Sequence, residues 1–137
     1  MIGGAGSCQT IKVKVDASWK ASFKGVIGWV AWNEMRDTCF EESGRIRAES
    51  PLQAKALGVR RVLEWARSSG ILRLEVSSDC LQLLKQWAGT ESAHHQIRGV
   101  IANITMMSNF FHYLCFSYIS RGLSKRAHDL AYRVMRI

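Results

Sequence analysis

SPLQAKALGVRRVLEWA, from Ser50 to Ala66, is where a chain that has so far alternated like a sheet turns into a helix. Ser50 can cap, Pro51 suits the first helical position, and Gln53, three residues after the serine, completes a capping-box pattern. At 100° per residue Leu52, Ala56, Val59, Val62, Leu63 and Ala66 fall within about 120° of one another. Lys55 projects inside the same arc, between Val62 and Ala66, while Arg60, Arg61, Glu64 and Arg67 lie outside it or at its edge. An ammonium on the apolar side of a helix either snorkels from the rim or meets a partner supplied elsewhere in the chain.

Upstream, IKVKVDAS alternates apolar and charged residues and predicts a strand from Ile11 to about Asp16, with Asp16 where the chain turns off. GVIGWVAWNE predicts a buried strand from about Gly25 to Trp32. After the turn residues Asn33 to Thr38, CFEESGRIRAE supplies a third strand with a break at Ser43-Gly44, which makes a meander. Downstream, the helix should end near Ser69-Gly70, and ILRLEVSS reads as a fourth strand with Leu72, Leu74 and Val76 on one face. Asp79-Cys80-Leu81-Gln82 repeats the capping-box pattern, so a second helix is expected to start at Asp79.

A polar link from Gly89 to about His95 leads to QIRGVIANITMM, a third helix with Ile97, Val100, Ile101, Ile104 and Met107 on a common face. FHYLCFSYIS predicts a fifth strand from about Phe111 to Ser120, and SKRAHDLAYRVM a last helix capped by Ser124. The order β-β-β-α-β-α-α-β-α predicts an α/β fold, a five-stranded mixed sheet flanked by helices. Residues 1–10, rich in glycine, read as a flexible lead-in, and residues 11–137 as one domain.

A chain of 137 residues that is 47% apolar can bury a core of its own, which excludes a disordered or fibrous protein. No apolar run is long enough to span a bilayer, and MIGGAGSCQT lacks the features of a signal peptide, so an intracellular protein, nuclear or cytoplasmic, with no membrane partner is expected. Cys8, Cys39, Cys80 and Cys115 lack the close pairing of a zinc or redox site and read as reduced thiols. The excess of 19 Lys and Arg over 11 Asp and Glu, a formal +8, suits a polyanion such as nucleic acid, although the cations are dispersed. Trp19, Trp29, Trp32, Trp65 and Trp87 read as core residues before base-stacking ones, and His94, His95 and His112 suggest no metal site.

If the first and fourth strands are neighbours with aligned ends, Asp16 and Asp79 meet at one edge of the sheet. Paired carboxylates there are a metal-site geometry, and a local turn bond for Asp16 and a helix cap for Asp79 are the competing uses.

The series VDAS at a strand end, GVIGW, SPLQA-x-AL, LEVSSDCLQLL, and FSYISR followed by AHDLA resembles the ribonuclease H type 1 fold, above all its plant reverse-transcriptase-like members, over about Ile11 to Val134. That resemblance implies hydrolysis of the RNA strand of an RNA/DNA hybrid at two magnesium ions, or manganese in their place, held by converging carboxylates. It places Asp16 and Asp79 on two of the acidic, metal-binding positions. It places Lys55 on a glutamate and His128 on the fourth acidic position, with Asp129 about 100° further around the helix and ill-posed to substitute. Glu49, six residues before Lys55, is about one and a half helical turns away and no replacement.

A lysine at about 5 Å from a divalent ion costs about 6 to 7 kcal/mol at an effective dielectric of about 20, and a third of that would still weaken binding tens-fold. Metal binding and catalysis are therefore expected to be impaired, and Lys55 to act as a built-in counter-ion to the two aspartates. Three functions stay open: a catalytically weakened domain that binds RNA/DNA hybrid or duplex, an active magnesium-dependent endoribonuclease, and a silent protein-interaction domain. For the first, Lys85, Arg121, Lys125 and Arg126 are the candidate phosphate contacts, with no small-molecule cofactor.

Overall fold

The structure is a computed structural model that describes residues 9–35, 37–119 and, as backbone, 133–136. Three antiparallel strands come first: β1 (Ile11–Lys20), β2 (Lys24–Trp32) and β3 (Thr38–Arg47). They are followed by α1 (Pro51–Ser68), β4 (Arg73–Ser78), α2 (Leu81–Ala88), α3 (Arg98–Ser108), β5 (Tyr113–Tyr118) and β6 (Arg133–Arg136). The sheet order is β3-β2-β1-β4-β5-β6. β1 runs parallel to β4 and β4 parallel to β5, so α1 and the α2–α3 pair serve as the crossovers that parallel neighbours need.

The five expected strands and the mixed sheet are present, with shifted ends. Ser43-Gly44 makes no break: Gly44 pairs with Ile27 within a continuous ladder. β1 does not stop at Asp16. Its pairing with β4 ends at Lys14, but its pairing with β2 continues to Lys20 against Lys24, and Trp19 is fixed by its indole Nε1 donating to Ala48 O at 2.8 Å. β5 is shorter than predicted, and Phe111 is buried just ahead of it.

The last helix, expected over SKRAHDLAYRVM, is corrected at its end, where Arg133–Arg136 pairs antiparallel with β5. Four residues carry too little periodicity to separate helix from strand, and the open edge of β5 supplies the hydrogen bonds that decide it. The rest of that segment, with Ser124 and Asp129, lies outside the described residues.

α1 covers one face of β1 and β2 and packs against α3 on its other side. Contact on two sides explains why Ala54 and Gly58 are buried beside Ala56, Val59, Val62, Leu63 and Ala66, a wider stripe than a single interface predicts, with Leu52 only half-buried at the start. Gly58 allows a close approach of α1 to the sheet: a Cβ there would lie 3.3 Å from Val15 Cγ2 and 3.4 Å from Ile27 Cγ2. Trp29 is core, Trp65 stacks on Phe40 at 4.8 Å, Trp87 meets Phe116 edge-on at 4.6 Å and Trp19 packs partly buried against the core, so four of the five tryptophans serve packing. The opposite face of β1, β2 and β3 carries the even-numbered residues of β1 and β2, largely exposed. Among the described residues no helix is long and apolar enough to cross a membrane.

Candidate active site

The sheet register assembles the site. Lys14 of β1 lies beside Ser77 of β4 in the parallel ladder, so Asp16 and Asp79, each two residues further on, come to the same level just past the end of the β1–β4 pairing. α1 starts beside them because Ser50 caps it, its Oγ accepting from Gln53 N at 3.1 Å. The Gln53 carboxamide closes the box one residue earlier than expected, accepting from Glu49 N at 2.6 Å, and its Nε2 donates to Gln96 O at 2.9 Å. Glu49 thus sits at the helix entrance, exposed, and does not stand in for Lys55.

From the second turn of α1 the Lys55 ammonium reaches between the aspartates. It donates to Asp79 Oδ1 at 2.8 Å, to Asp16 Oδ1 at 3.1 Å and to the Ala17 carbonyl at 3.0 Å, which uses all three of its N–H bonds. The lysine and Asp79 side chains are each 18% exposed and that of Asp16 57%, so the Asp79 bond is the better shielded of the two. Burial alone would push the Lys55 ammonium down; its hydrogen bonds to Asp79 and Asp16, and their charges, outweigh burial and hold it above the ordinary lysine value.

Asp79 is not the cap of α2. Cys80 occupies that position without a side-chain capping bond, and the Asp79 carboxylate takes the ammonium, a charge-assisted partner stronger than a neutral amide. Burial pushes the neighbouring Cys80 thiol up, so no thiolate competes for the lysine.

Lys55, Asp16 and Asp79 are therefore brought together, and the lysine is bonded rather than snorkelling. Lys85 is not part of the cluster: it sits half-buried in the last turn of α2, with no hydrogen bond or ion pair to it. His128, Arg121, Lys125 and Arg126 lie outside the described residues. The third acceptor, Ala17 O, was unreadable in the sequence because every residue carries a carbonyl.

A magnesium ion needs several converging oxygen donors. Among the described residues no three His, Cys, Asp or Glu side chains gather as a metal site, and the space between the two carboxylates is filled by an ammonium of the wrong sign. Among the described residues the donor set does not fit the metal.

Residues 14–134 match the model of the reverse transcriptase-like family. The chain belongs to that family. The fold of this reverse transcriptase-like domain is RNase H-like: it superposes on RNase H1 of the halophilic archaeon Halobacterium salinarum with a TM-score of 0.77 at 17% identity, over 89% of this chain and 92% of the other. The N-terminal RNase H domain of a Mycobacterium tuberculosis protein, solved as a fusion with maltose-binding protein, gives 0.74 at 17% identity, covering 88% of each. LC11-RNase H1, solved in complex with an RNA/DNA hybrid, gives 0.72 at 21% identity, over 81% of this chain and 86% of the other. No curated protein matches the chain in sequence.

Proposed function

We propose that this reverse transcriptase-like domain binds nucleic acid, as RNA/DNA hybrid or duplex, and has lost metal-dependent hydrolysis at the Asp16–Asp79 edge. The observation that carries the proposal is the Lys55 ammonium, bonded at 2.8 Å and 3.1 Å to both carboxylates that would otherwise face a divalent cation. It supplies positive charge without the open coordination positions through which a metal activates water. Family membership, the formal +8 charge and the hybrid bound to a similar fold support the nucleic-acid partner. Lys85, Arg121, Lys125 and Arg126 are the proposed phosphate contacts, and His128 is the remaining position of the former metal site. In this reading no cofactor is retained.

The test incubates a labelled RNA/DNA hybrid with magnesium or manganese and the natural chain, Lys55→Glu, or Asp16→Asn as a blank. Salt-dependent binding without cleavage by the natural chain, with cleavage appearing in Lys55→Glu, is the expected result. Cleavage by the natural chain that disappears in Asp16→Asn would overturn the loss of catalysis, and absence of any hybrid binding would leave a protein-interaction domain.

A further inference from the structure

The tip of the β1–β2 hairpin gathers positive charge that nothing in the fold requires. Lys20 is paired across the ladder with Lys24, and Lys24 in turn with Arg47, so three cations lie in one row across three strands. Neighbouring strands are about 4.8 Å apart and like charges directly opposite repel, so the row lowers the stability of the sheet. Arg45, two residues before Arg47 and opposite Val26, adds a fourth cation on the same face. All four side chains are exposed, and no acidic residue lines the shallow hollow they border with Ser18 and Val26.

An aromatic ring sits beside this row. Phe23 is 45% exposed, and its backbone is left-handed at φ 64, following Ser22 at φ 73. A bulky residue rarely adopts that conformation, and the tip holds it there because Phe23 O accepts from Ala48 N at 3.0 Å. The Arg47 guanidinium carbon lies 5.4 Å from the ring centroid, which fixes the ring next to the cations.

We infer that the β1–β2 hairpin tip is a binding surface for single-stranded nucleic acid, with phosphates on Lys20, Lys24, Arg45 and Arg47 and a base stacked on Phe23. Cations that track a backbone beside an exposed ring are the combination single strands use, because every base offers a stacking face. An acidic peptide would satisfy the charge but leave the ring without a base to stack on. Lys20 is four residues from Asp16 on the same strand and face, about 13 Å along it, so an unpaired end could continue from a duplex at the Lys55 site onto the tip.

The test measures binding of a labelled oligothymidylate to the full chain by fluorescence anisotropy across a salt series, with blunt RNA/DNA hybrid and phosphatidylserine vesicles in parallel. Combining Lys24→Glu with Arg45→Glu should weaken oligothymidylate binding and flatten the log–log salt slope by about 1.4, two phosphate contacts' worth. Phe23→Ala should weaken it roughly tenfold. Lys24→Glu alone should also raise the melting temperature, since Lys20 and Arg47 then flank an opposite charge, and a purely structural patch would not move stability and binding in opposite directions.

Oligothymidylate binding that survives these changes, or tighter binding to the vesicles than to the oligonucleotide, would overturn the inference. Strong binding of oligothymidylate with none of blunt hybrid would sink the duplex reading and support this one.

Discussion

The Asp79 carboxylate accepts from the Lys55 ammonium at 2.8 Å instead of capping the helix it precedes. Lys55 leaves the second turn of α1 and Asp79 follows β4, the next element in the chain, and a second aspartate and a backbone carbonyl complete the ammonium's partners. The lysine thus bridges a pair of acids that the fold places side by side and offsets one of their two charges.

Replacing Lys55 with methionine removes that bridge and leaves Asp16 and Asp79 facing each other. Chemical denaturation should show a loss of about 1 to 3 kcal/mol, below the cost of breaking a fully buried pair because Asp16 is well solvated. In an Asp79→Asn background the same replacement should cost less, and a coupling of at least about 0.5 kcal/mol in that double-mutant cycle is the signature of the pair. Equal stability of Lys55→Met and the natural chain at neutral pH would remove the counter-ion role.

The pH dependence has a definite sign. Lys55 is raised in the folded chain relative to its ordinary value, so its contribution is complete below about pH 10.4, the unfolded lysine value, and is lost as pH rises through the folded value. The stability difference between the natural chain and Lys55→Met should therefore be flat from neutral to mildly alkaline pH and shrink only above that range. A difference that already shrinks between pH 7 and pH 9 would contradict this origin.

Magnesium should distinguish the natural chain from Lys55→Glu in the absence of any substrate. With the ammonium replaced by a third carboxylate, the melting temperature of the variant should rise as magnesium is added, as for any ligand that binds only the folded state. The natural chain should show no such rise beyond general salt effects. Equal responses of the two proteins would mean that Lys55 does not govern cation binding at this edge.

β1 and α1 were readable because strict alternation in β1 and helical periodicity after Ser50 each reflect burial on one face, whereas β2, expected to be buried, buries its odd-numbered residues and leaves Val26 and Val30 exposed because nothing in its uniformly apolar sequence marks the open face. The meeting of Asp16, Lys55 and Asp79 was readable for the same reason, since two strand positions and one helix-face position fix where side chains leave the backbone. For Asp79 the sequence left a helix cap and a partner for Lys55 both open. An aspartate before a helix has two uses, and only the ammonium across the strand ends chooses between them.

The extent of β1 was misread because its two edges have different partners: pairing with β4 ends at Lys14, while β2 carries the strand to Lys20. The cation row at the hairpin tip was not legible because Lys20 and Lys24 are distant in sequence from Arg45 and Arg47, and the two pairs become neighbours only through the β2–β3 register.

Ser50→Ala should destabilise the chain by about 1 kcal/mol in urea denaturation, because Gln53 N loses the side-chain oxygen it donates to at 3.1 Å. Ser50→Asp should keep most of that stability, since a carboxylate also accepts at a helix start.

Gly58→Ala tests how closely α1 lies on the sheet. In an exposed helix the change would add about 1 kcal/mol through helix propensity. Here the new methyl would meet Val15 Cγ2 at 3.3 Å and Ile27 Cγ2 at 3.4 Å, and both neighbours are β-branched core residues with little rotameric freedom to retreat. Overpacking of this kind costs about 1 to 3 kcal/mol, so the propensity gain is cancelled or exceeded, and urea denaturation should show a net loss of up to about 2 kcal/mol. Because α1 also carries Lys55, any shift of the helix away from β1 would lengthen the bond to Asp16 before the better shielded one to Asp79. Lys55→Met should then cost less in the Gly58→Ala background than in the natural chain, a non-additivity that an unmoved helix would not produce.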